Sequence, residues 1–357
     1  MAPPRPPPEL YDDAVAEILL RLPPDDPASL ARASLVCKPW LRLLSDPAFL
    51  RRYAALHRAP PVLGVLGDCI VGGRVVHRFV PTTSFRPRGP NRGGFLLDCR
   101  HGRALLYDPA SVLGEEQVDM VVWDPMTGGL RGLRKPDLPF HTRAAALLCT
   151  MERCGHLHCH GGPFRVVFVG SVQRNGITWA SVYSSETGAW SVPTYIDLGR
   201  DGYILRRHSV LVGEALYFIQ TRGILRYDME GHSLSAIDLP EEYGRYQIAV
   251  MQADGGLRLA GMKDNNLYLW SRERSYDGVA RWVQRRVIKL GTMLGISRPL
   301  YQSSLVGVAD GTDIIFMCTY VGYYMIDLKS LREVCVGYKF DFNYVFPYMS
   351  FYVPVVQ

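Results

Sequence analysis

The 357-residue sequence has no apolar run long enough to cross a membrane. Its longest strongly apolar stretch, Ile314 to Ile326, is well short of the roughly 20 residues that a spanning helix needs. The N-terminal segment carries Pro and Arg in place of the apolar core of a signal peptide. We therefore expect neither membrane insertion nor secretion, and we predict a protein of the cytoplasm, the nucleus or both.

The sequence also lacks a disulfide framework and a strong charge of either sign. Its eight cysteines have no regular spacing, which is typical of reduced intracellular thiols in a chain of this length. The formal net charge is only +6, from 40 basic and 34 acidic residues, and the arginine pairs at 206/207 and 285/286 lie far apart in the sequence. The composition therefore does not predict a nucleic-acid partner.

The usual catalytic motifs are missing as well. The chain contains no P-loop, no Gly-x-Gly-x-x-Gly, no His-Glu-x-x-His and no Gly-x-Ser-x-Gly. Isolated polar residues could still assemble from separate loops, although such residues more often cap turns; the candidates are Asp201, His208, His232 and Asp264. We therefore predict a protein that is not an enzyme and that needs no cofactor.

One segment is rich in residues that could bind a metal ion. The candidates are Cys149, Cys154, His156, His158, Cys159 and His160. Thiolates and imidazoles are the ligands that Zn²⁺ prefers, but this spacing matches none of the common paired arrangements. In an extended chain, the adjacent Cys159 and His160 would also point to opposite faces. We therefore predict a loop between strands and no metal site.

The first 60 residues show helical periodicity. Apolar residues from Val15 to Leu22 recur at the i, i+3, i+4, i+7 spacing of one helix face, and Asp12 or Asp13 can cap that helix. A second short helical piece begins at Leu30, and a third helix is expected near Val36 to Leu44. The sequence thus predicts a module of three helices.

The pattern changes after Pro60 to short β-branched and aromatic runs separated by Gly, Asp, Asn and Pro. Such runs are typical of antiparallel strands joined by turns. We therefore divide the chain into a disordered, Pro-rich N-terminus at 1–8, a helical module at 9–58 and an all-β domain at 62–357.

The all-β domain contains a loose internal repeat, in which a strand ending in an aromatic residue is followed by an acidic, Gly or Ser turn. The repeat occurs at Val122-Trp123-Asp124, Val182-Tyr183, Leu225-Arg226-Tyr227-Asp228, Tyr268-Leu269-Trp270-Ser271 and Tyr324-Met325-Ile326-Asp327. Its average spacing is near the roughly 40 to 50 residues of a four-stranded blade. This favours a β-propeller of six or seven blades over a large β-sandwich.

A propeller exposes strand edges unless its last strand pairs within its first blade. Tyr348 to Val355 is rich in aromatic residues and Val and is almost uncharged. We therefore expect it to form a buried strand beside Val62 to Leu66. We also expect the helical module and the β domain to have separate hydrophobic cores.

The N-terminal segment carries a more specific signal than its periodicity. Its parts are Glu17-Ile18-Leu19-Leu20-Arg21-Leu22-Pro23, Leu30, Ser34 to Leu44, and Asp46-Pro47-Ala48-Phe49-Leu50. The stretch from about Leu10 to Arg52 resembles the F-box family, most distinctly at Leu35-Val36-Cys37-Lys38-Pro39-Trp40. It departs from the family at Leu10-Tyr11, where a Leu-Pro pair is common.

The resemblance implies a three-helix unit that binds a Skp-type adaptor, which joins a cullin scaffold carrying the ubiquitin-transfer machinery. A unit of about 50 residues cannot bury all its apolar side chains alone. The candidate adaptor-binding residues are Leu10, Ile18, Leu19, Leu22, Pro23, Leu30, Leu35, Val36, Cys37, Trp40 and Leu44. The sequence does not divide them between core and contact surface, but a large aromatic favours Trp40 as a contact.

The all-β domain is similar to plant-type F-box-associated β domains at Leu97 to Leu106 and at Cys159 to Val169. The similarity implies that loops on one propeller face bind a client protein, so that the chain would be the substrate receptor of a ubiquitin ligase. Two alternatives stay open. One is a sugar- or small-molecule-binding propeller, which could be enzymatic, and the other is an F-box protein that serves outside a ligase.

Overall fold

The computed structural model describes residues 11–89, 93–108, 110, 112–113, 116–151, 154, 161–241, 243, 247–295, 303–337, 342 and 344–352. Helices at the N-terminus precede a ring of six β-sheets. The predicted fold class, a small helical module followed by a β-propeller, is confirmed, and the number of blades is six. Within these ranges no helix is both long and apolar enough to cross a membrane.

The module contains four helices: α1 (Asp12–Leu20), α2 (Pro27–Ser34), α3 (Lys38–Leu44) and α4 (Pro47–His57). Helices α2, α3 and α4 each have a Pro in the first turn. A Pro is tolerated there because the N–H that it lacks would have no partner within the helix. The prolines therefore start these helices.

Helix α4 corrects the expectation of three helices. The Asp46 side chain caps it, since Oδ1 accepts hydrogen bonds from the backbone N–H groups of Ala48 at 2.6 Å and Phe49 at 3.1 Å. Pro47 occupies the first position of the helix, and Phe49 and Tyr53 face the core. The Asp-Pro pair is visible in the sequence and marks a helix start.

The strands form six blades in chain order. Blade 1 contains β1 (Val62–Val71), β2 (Arg74–Pro81) and β26 (Val345–Met349), and blade 2 contains β3 (Phe95–Arg100), β4 (Arg103–Tyr107), β7 (Met120–Trp123) and β8 (Leu130–Leu133). Blade 3 contains β9 (Thr142–Cys149), β10 (Phe164–Val172), β11 (Ile177–Ser184), β12 (Ala189–Trp190) and β13 (Thr194–Asp197). Blade 4 contains β14 (Val210–Val212), β15 (Ala215–Gln220), β16 (Gly223–Asp228) and β17 (Ser233–Asp238).

Blade 5 contains β18 (Ile248–Ala253), β19 (Gly256–Lys263), β20 (Asn266–Arg274) and β21 (Ala280–Lys289), and blade 6 contains β22 (Ser304–Val308), β23 (Ile314–Cys318), β24 (Tyr323–Asp327) and β25 (Arg332–Gly337). The remaining elements are the short hairpin β5 (Val112–Leu113) and β6 (Glu116–Gln117), and helix α5 (Leu290–Met293). All strand pairs are antiparallel. Strand β26 contacts β3 and β22, and further contacts join β3 to β9, β14 to β18 and β18 to β22, which places these strands around a central channel.

The C-terminal strand closes the ring. Strand β26 pairs with β1, and Leu66 lies opposite Phe346. The predicted partner segment Val62 to Leu66 is confirmed. The closing strand itself is Val345–Met349, which begins before the predicted Tyr348 to Val355. Residues 350–352 lie beyond the strand, and residues 353–355 of the prediction lie outside the described residues.

The five sequence repeats mark the third strands of blades 2 to 6, which are β7, β11, β16, β20 and β24. In three of these blades, an Asp ends the strand and turns the chain toward the next one. Oδ1 of Asp124 accepts a hydrogen bond from Met126 N–H at 2.9 Å, and the carboxylates of Asp228 and Asp327 accept equivalent bonds. This side-chain bond to the backbone two residues ahead is the physical reason for an acidic residue in the repeat.

Among the described residues, the propeller core consists of six hydrophobic clusters, one between each pair of neighbouring blades. Tryptophans in the outer strands of two blades also donate hydrogen bonds to the chain that leads from the preceding blade into their own. The indole N–H of Trp190 donates to Arg134 O at 3.0 Å, and that of Trp282 donates to Asp238 O at 2.8 Å. These indoles therefore serve packing between blades.

Candidate functional site

The helical module carries apolar residues at its surface. Leu35 is 83% exposed, Val36 is 63% exposed and Ile18 is 51% exposed. Pro23 and Cys37 are exposed as well. These five predicted adaptor-binding residues, which we name the exposed set, are the most accessible to a partner.

The backbone around Leu35 and Val36 is fixed by the module itself. Leu35 N–H donates to Arg32 O at 3.1 Å, and Val36 N–H donates to Ala33 O at 3.2 Å. The carbonyl oxygen of Cys37 then accepts the first hydrogen bond of α3, from Leu41 N–H at 3.1 Å. Three backbone polar groups of the connection between α2 and α3 are thus paired within the module, while the side chains of Leu35 and Val36 are exposed to solvent.

Three of the predicted adaptor-binding residues lie in the module core. Leu19, Leu30 and Leu44 are buried together with Phe49 and Tyr53. Buried side chains of this kind support the contact surface from beneath and do not line it. The sequence could not separate the two groups, because a leucine that faces the core and one that faces a partner follow the same periodicity.

The other three predicted residues have intermediate or undescribed positions. Leu22 and Trp40 are partly buried and pack against the module core. The Trp40 side chain, which the sequence favoured as a contact, is therefore also a structural element of the module. Leu10 lies outside the described residues.

Two polar contacts fix α4 against the end of α1. Tyr53 Oη donates to Leu22 O at 2.7 Å, and His57 Nε2 lies 2.9 Å from Leu20 O. Burial, with the nearby Asp25 carboxylate, raises the pKa of Tyr53 above its usual range. The hydroxyl therefore remains a donor over the whole neutral pH range.

The module core is completed by a residue from the far end of the chain. Phe351, which follows β26, is buried in the same cluster, and its ring lies edge-on to Tyr53 with 5.7 Å between ring centroids. Tyr352 packs partly against this cluster. The expectation of separate cores is therefore wrong, because the segment that closes the propeller continues into the helical module.

The central channel is crossed by residues 206–209, which we name the central segment and which lead into β14 of blade 4. Arg206 forms an ion pair with Asp68 of blade 1. Arg207 Nη1 donates to Ile248 O of blade 5 at 2.6 Å. The arginine pair noted in the sequence therefore links distant blades inside the protein.

Four charged residues meet in this channel. His208 Nε2 lies 2.7 Å from Asp310 Oδ1, and its Nδ1 lies 3.4 Å from Asp98 Oδ1. Arg100 Nε donates to Asp310 Oδ2 at 2.6 Å, and its Nη1 lies 3.3 Å from Asp98 Oδ2. We name these residues the channel quartet; they connect blade 2 with the entry to blade 4 and the loop after β22 of blade 6.

The quartet is an alternating arrangement of two anions and two cations. Burial lowers the pKa of His208, but Asp310 and Asp98 together outweigh that effect and raise the pKa to about 9. Burial raises the pKa of Asp310, but Arg100 and His208 outweigh it and hold the pKa well below its usual range. Each charge faces an opposite charge, which favours a structural role for the quartet over proton transfer.

A cavity of about 390 Å³ lies where the helical module meets this end of the channel. Ala54 and Arg58 line it from the module, and His208, Asp310 and Phe351 line it from the propeller side. The module therefore sits over the channel mouth and beside the quartet.

The other isolated polar candidates do not join the quartet. Asp201 is exposed at the surface, Nδ1 of His232 lies 2.8 Å from Tyr227 Oη, and Asp264 occupies a turn with φ +49°. Asp201 and Asp264 therefore lie in surface turns, and the structure places only His208 in the channel.

The cysteine and histidine cluster is only partly described. Cys149 and Cys154 are partly buried, whereas the candidates from His156 to His160 lie outside the described residues. In the part of the chain that the structure describes, no group of three or more His, Cys, Asp or Glu could hold a metal ion. The expectation that the cluster binds no metal stays a prediction.

Comparison with protein families supports both halves of the architecture. Residues 8–52 match the F-box domain model, and residues 95–356 match a model described as "F-box protein AT5G49610-like, beta-propeller". A helical F-box module followed by a propeller defines an F-box protein. Because the second model matches more than half of the chain, the chain belongs to the AT5G49610-like family of F-box proteins.

Two solved structures show weaker similarity to the chain. No curated protein matches the chain. The WD40 domain of SCAP from fission yeast is 14% identical with a TM-score of 0.39, over 67% of this chain and 51% of that chain. A protein from Lactobacillus plantarum is 11% identical with a TM-score of 0.44, over 77% of this chain and 81% of that chain. The chain thus spans about half the length of the SCAP chain and most of the length of the bacterial protein.

Proposed function

We propose that this F-box protein is the substrate-recruiting subunit of a Skp-cullin-F-box ubiquitin ligase. Its F-box module binds a Skp-type adaptor, the adaptor joins a cullin scaffold, and the propeller binds the client protein. The observation that carries the proposal is the exposed set, whose apolar side chains stand in solvent on a backbone that the module fixes without a partner. The role is recruitment in the cytoplasm or nucleus, and no chemical step is assigned to the chain itself.

The energetic case rests on Leu35 and Val36. Complete burial of a Leu or Val side chain stabilises a complex by about 1.5 to 3 kcal/mol. With 83% and 63% of these side chains exposed, most of that free energy is still to be gained when a partner covers them. The two residues together therefore contribute about 3 kcal/mol or more, which corresponds to roughly a hundredfold in Kd.

The test uses the full chain co-expressed with a Skp-type adaptor. The double variant Leu35→Ser, Val36→Ser should lose the adaptor during purification, because the contact weakens by roughly two orders of magnitude. The matched control is Val192→Ser, Tyr195→Ser, which removes exposed apolar side chains from blade 3 and should keep the adaptor.

Trp40 is a poorer test position than Leu35, because its indole packs against the module core and its removal would also destabilise the module. Equal adaptor yield from the Leu35 and Val36 double variant and from the wild type would reject this contact surface. The melting temperature of both double variants should match that of the wild type, which separates lost binding from lost folding.

A second measurement separates a ligase subunit from an F-box protein that acts elsewhere. Co-purification of a cullin together with the adaptor is expected for the proposed receptor. An adaptor complex from which cullin is always absent would support the other role. Proximity labelling with and without proteasome inhibition would then identify clients, which should accumulate near the chain when degradation stops.

A further inference from the structure

Blade 5 ends in an unusually long outer strand. Strand β21 has ten residues, whereas the outermost strands of the other blades have between two and eight. In the described residues β21 pairs with β20 only. Its outward edge therefore presents backbone N–H and C=O groups on both sides of a bulge at Arg285, and these groups can pair with another strand.

The β20 and β21 hairpin also concentrates the positive charge of the chain. Residues 266–289 contain six Arg or Lys and two acidic residues, a formal charge of +4 out of +6 for the whole protein. Both acidic side chains are already paired within the hairpin, Glu273 with Arg285 and Asp277 with Arg281. In the described part of the chain, Arg274 and Lys289 are exposed and have no carboxylate within ion-pair distance.

Apolar side chains stand among these charges. Tyr276 at the hairpin tip is fully exposed, and Val279, Val283 and Val287 are also exposed. A groove of about 630 Å³ runs beside the strand, between blades 5 and 6. Charged side chains on an edge strand often only prevent aggregation. Exposed Val and Tyr residues promote contact with other chains, so their presence on β21 favours a binding edge over a merely protected one.

From this combination we propose that the outer edge of β21 binds an extended, acidic segment of the client protein, which adds to blade 5 as a fifth strand. Backbone hydrogen bonds would supply the pairing, the basic side chains would select acidic residues, and the valines would contact apolar residues between them. The inference rests on the receptor role proposed above, for which it supplies the client contact and the chemistry of the client.

The same charges could suggest a nucleic acid, but among the aromatic residues of the hairpin, residues 266–289, only Tyr276 is fully exposed. Single-stranded nucleic acids bind through bases stacked on exposed aromatic rings. The indoles of Trp270 and Trp282 are partly buried between blades, and their N–H groups donate to Tyr243 Oη at 3.0 Å and Asp238 O at 2.8 Å. The hairpin therefore offers a strand edge rather than a stacking platform.

The test selects random twelve-residue peptides on the full-length chain in complex with its adaptor, and then measures binding of the selected peptides by fluorescence anisotropy. Acidic residues alternating with apolar ones are expected in the selected sequences. Methylation of alternate backbone nitrogens on the pairing edge of a selected peptide should abolish binding, because it removes the hydrogen bonds and keeps the charge.

Two variants with the same change in charge locate the site. Arg274→Ser, Lys289→Ser should weaken peptide binding about threefold to thirtyfold at low salt, since each exposed ion pair contributes modestly. The control Arg174→Ser, Arg332→Ser removes two exposed charges from blades 3 and 6 and should leave binding unchanged. Both variants should keep the adaptor, so a failure here is distinct from a failure of the receptor proposal.

Three results would overturn the proposal. The first is that the selected peptides contain no acidic residues, and the second is that a selected peptide binds the two double variants equally well. The third is that single-stranded RNA displaces a selected peptide and no longer binds the variant Arg274→Ser, Lys289→Ser. The last result would assign the hairpin to a nucleic acid instead.

Discussion

The stability of the propeller should fall as the pH rises from 7 to 9, because the channel quartet depends on a protonated His208. The pKa of His208 is raised to about 9 in the folded protein, against about 6.5 for an ordinary histidine. Since the folded-state pKa is the higher one, the stabilisation is fully present below about pH 6.5 and is lost as the pH passes through 9. Linkage gives a loss of about 2 kcal/mol between pH 7 and pH 9 from this group.

Urea unfolding followed by tryptophan fluorescence measures this loss, because five of the six tryptophans lie in the propeller. In the variant His208→Gln, the fall in unfolding free energy between pH 7 and pH 9 should be smaller by about 2 kcal/mol than in the wild type. His141→Gln is the control, since His141 is exposed and should leave the pH dependence unchanged. If the wild type and His208→Gln lost equal free energy over this range, the imidazole would not be a charged member of the quartet.

Three further results are expected. Phe351→Ala should lower the free energy of unfolding by about 3 to 5 kcal/mol and reduce hydrogen-exchange protection in α1 and α4. Unchanged protection in these helices would mean that the helical module and the propeller are not coupled. Arg206→Ala should cost about 3 to 5 kcal/mol in urea unfolding by leaving Asp68 buried without its partner, and the double variant Asp68→Asn, Arg206→Met should recover most of that loss. Protein purified without added metal should contain no stoichiometric zinc by elemental analysis, and one equivalent that disappears on substitution of Cys154 would contradict the loop interpretation.

The parts of the fold that were predictable from the sequence are those encoded by local patterns. The strands follow from short β-branched and aromatic runs, and the five repeats follow from one Asx-type turn at the end of the third strand of a blade. The closing strand followed from an apolar, uncharged segment near Tyr348 that had to be buried. Each of these depends on residues close together in the chain.

The parts that were not predictable depend on distant residues. Asp98, Arg100 and Asp310 carry no local pattern that links them to His208, since more than 200 residues separate the outermost two. Only the closed ring brings them to one channel. The division of the leucines around Leu19 into core and surface has the same cause, because it depends on how four helices pack.

The entry of Phe351 into the module core has a consequence for the timing of synthesis. Tyr53 leaves the ribosome almost 300 residues before Phe351, a delay of roughly 15 to 60 s at about 5 to 20 residues per second. Until then the N-terminal helices lack one of their buried aromatic side chains. A nascent or prematurely terminated chain would therefore carry a weakened F-box module, and a receptor with an unfinished propeller would be at a disadvantage in competing for the adaptor.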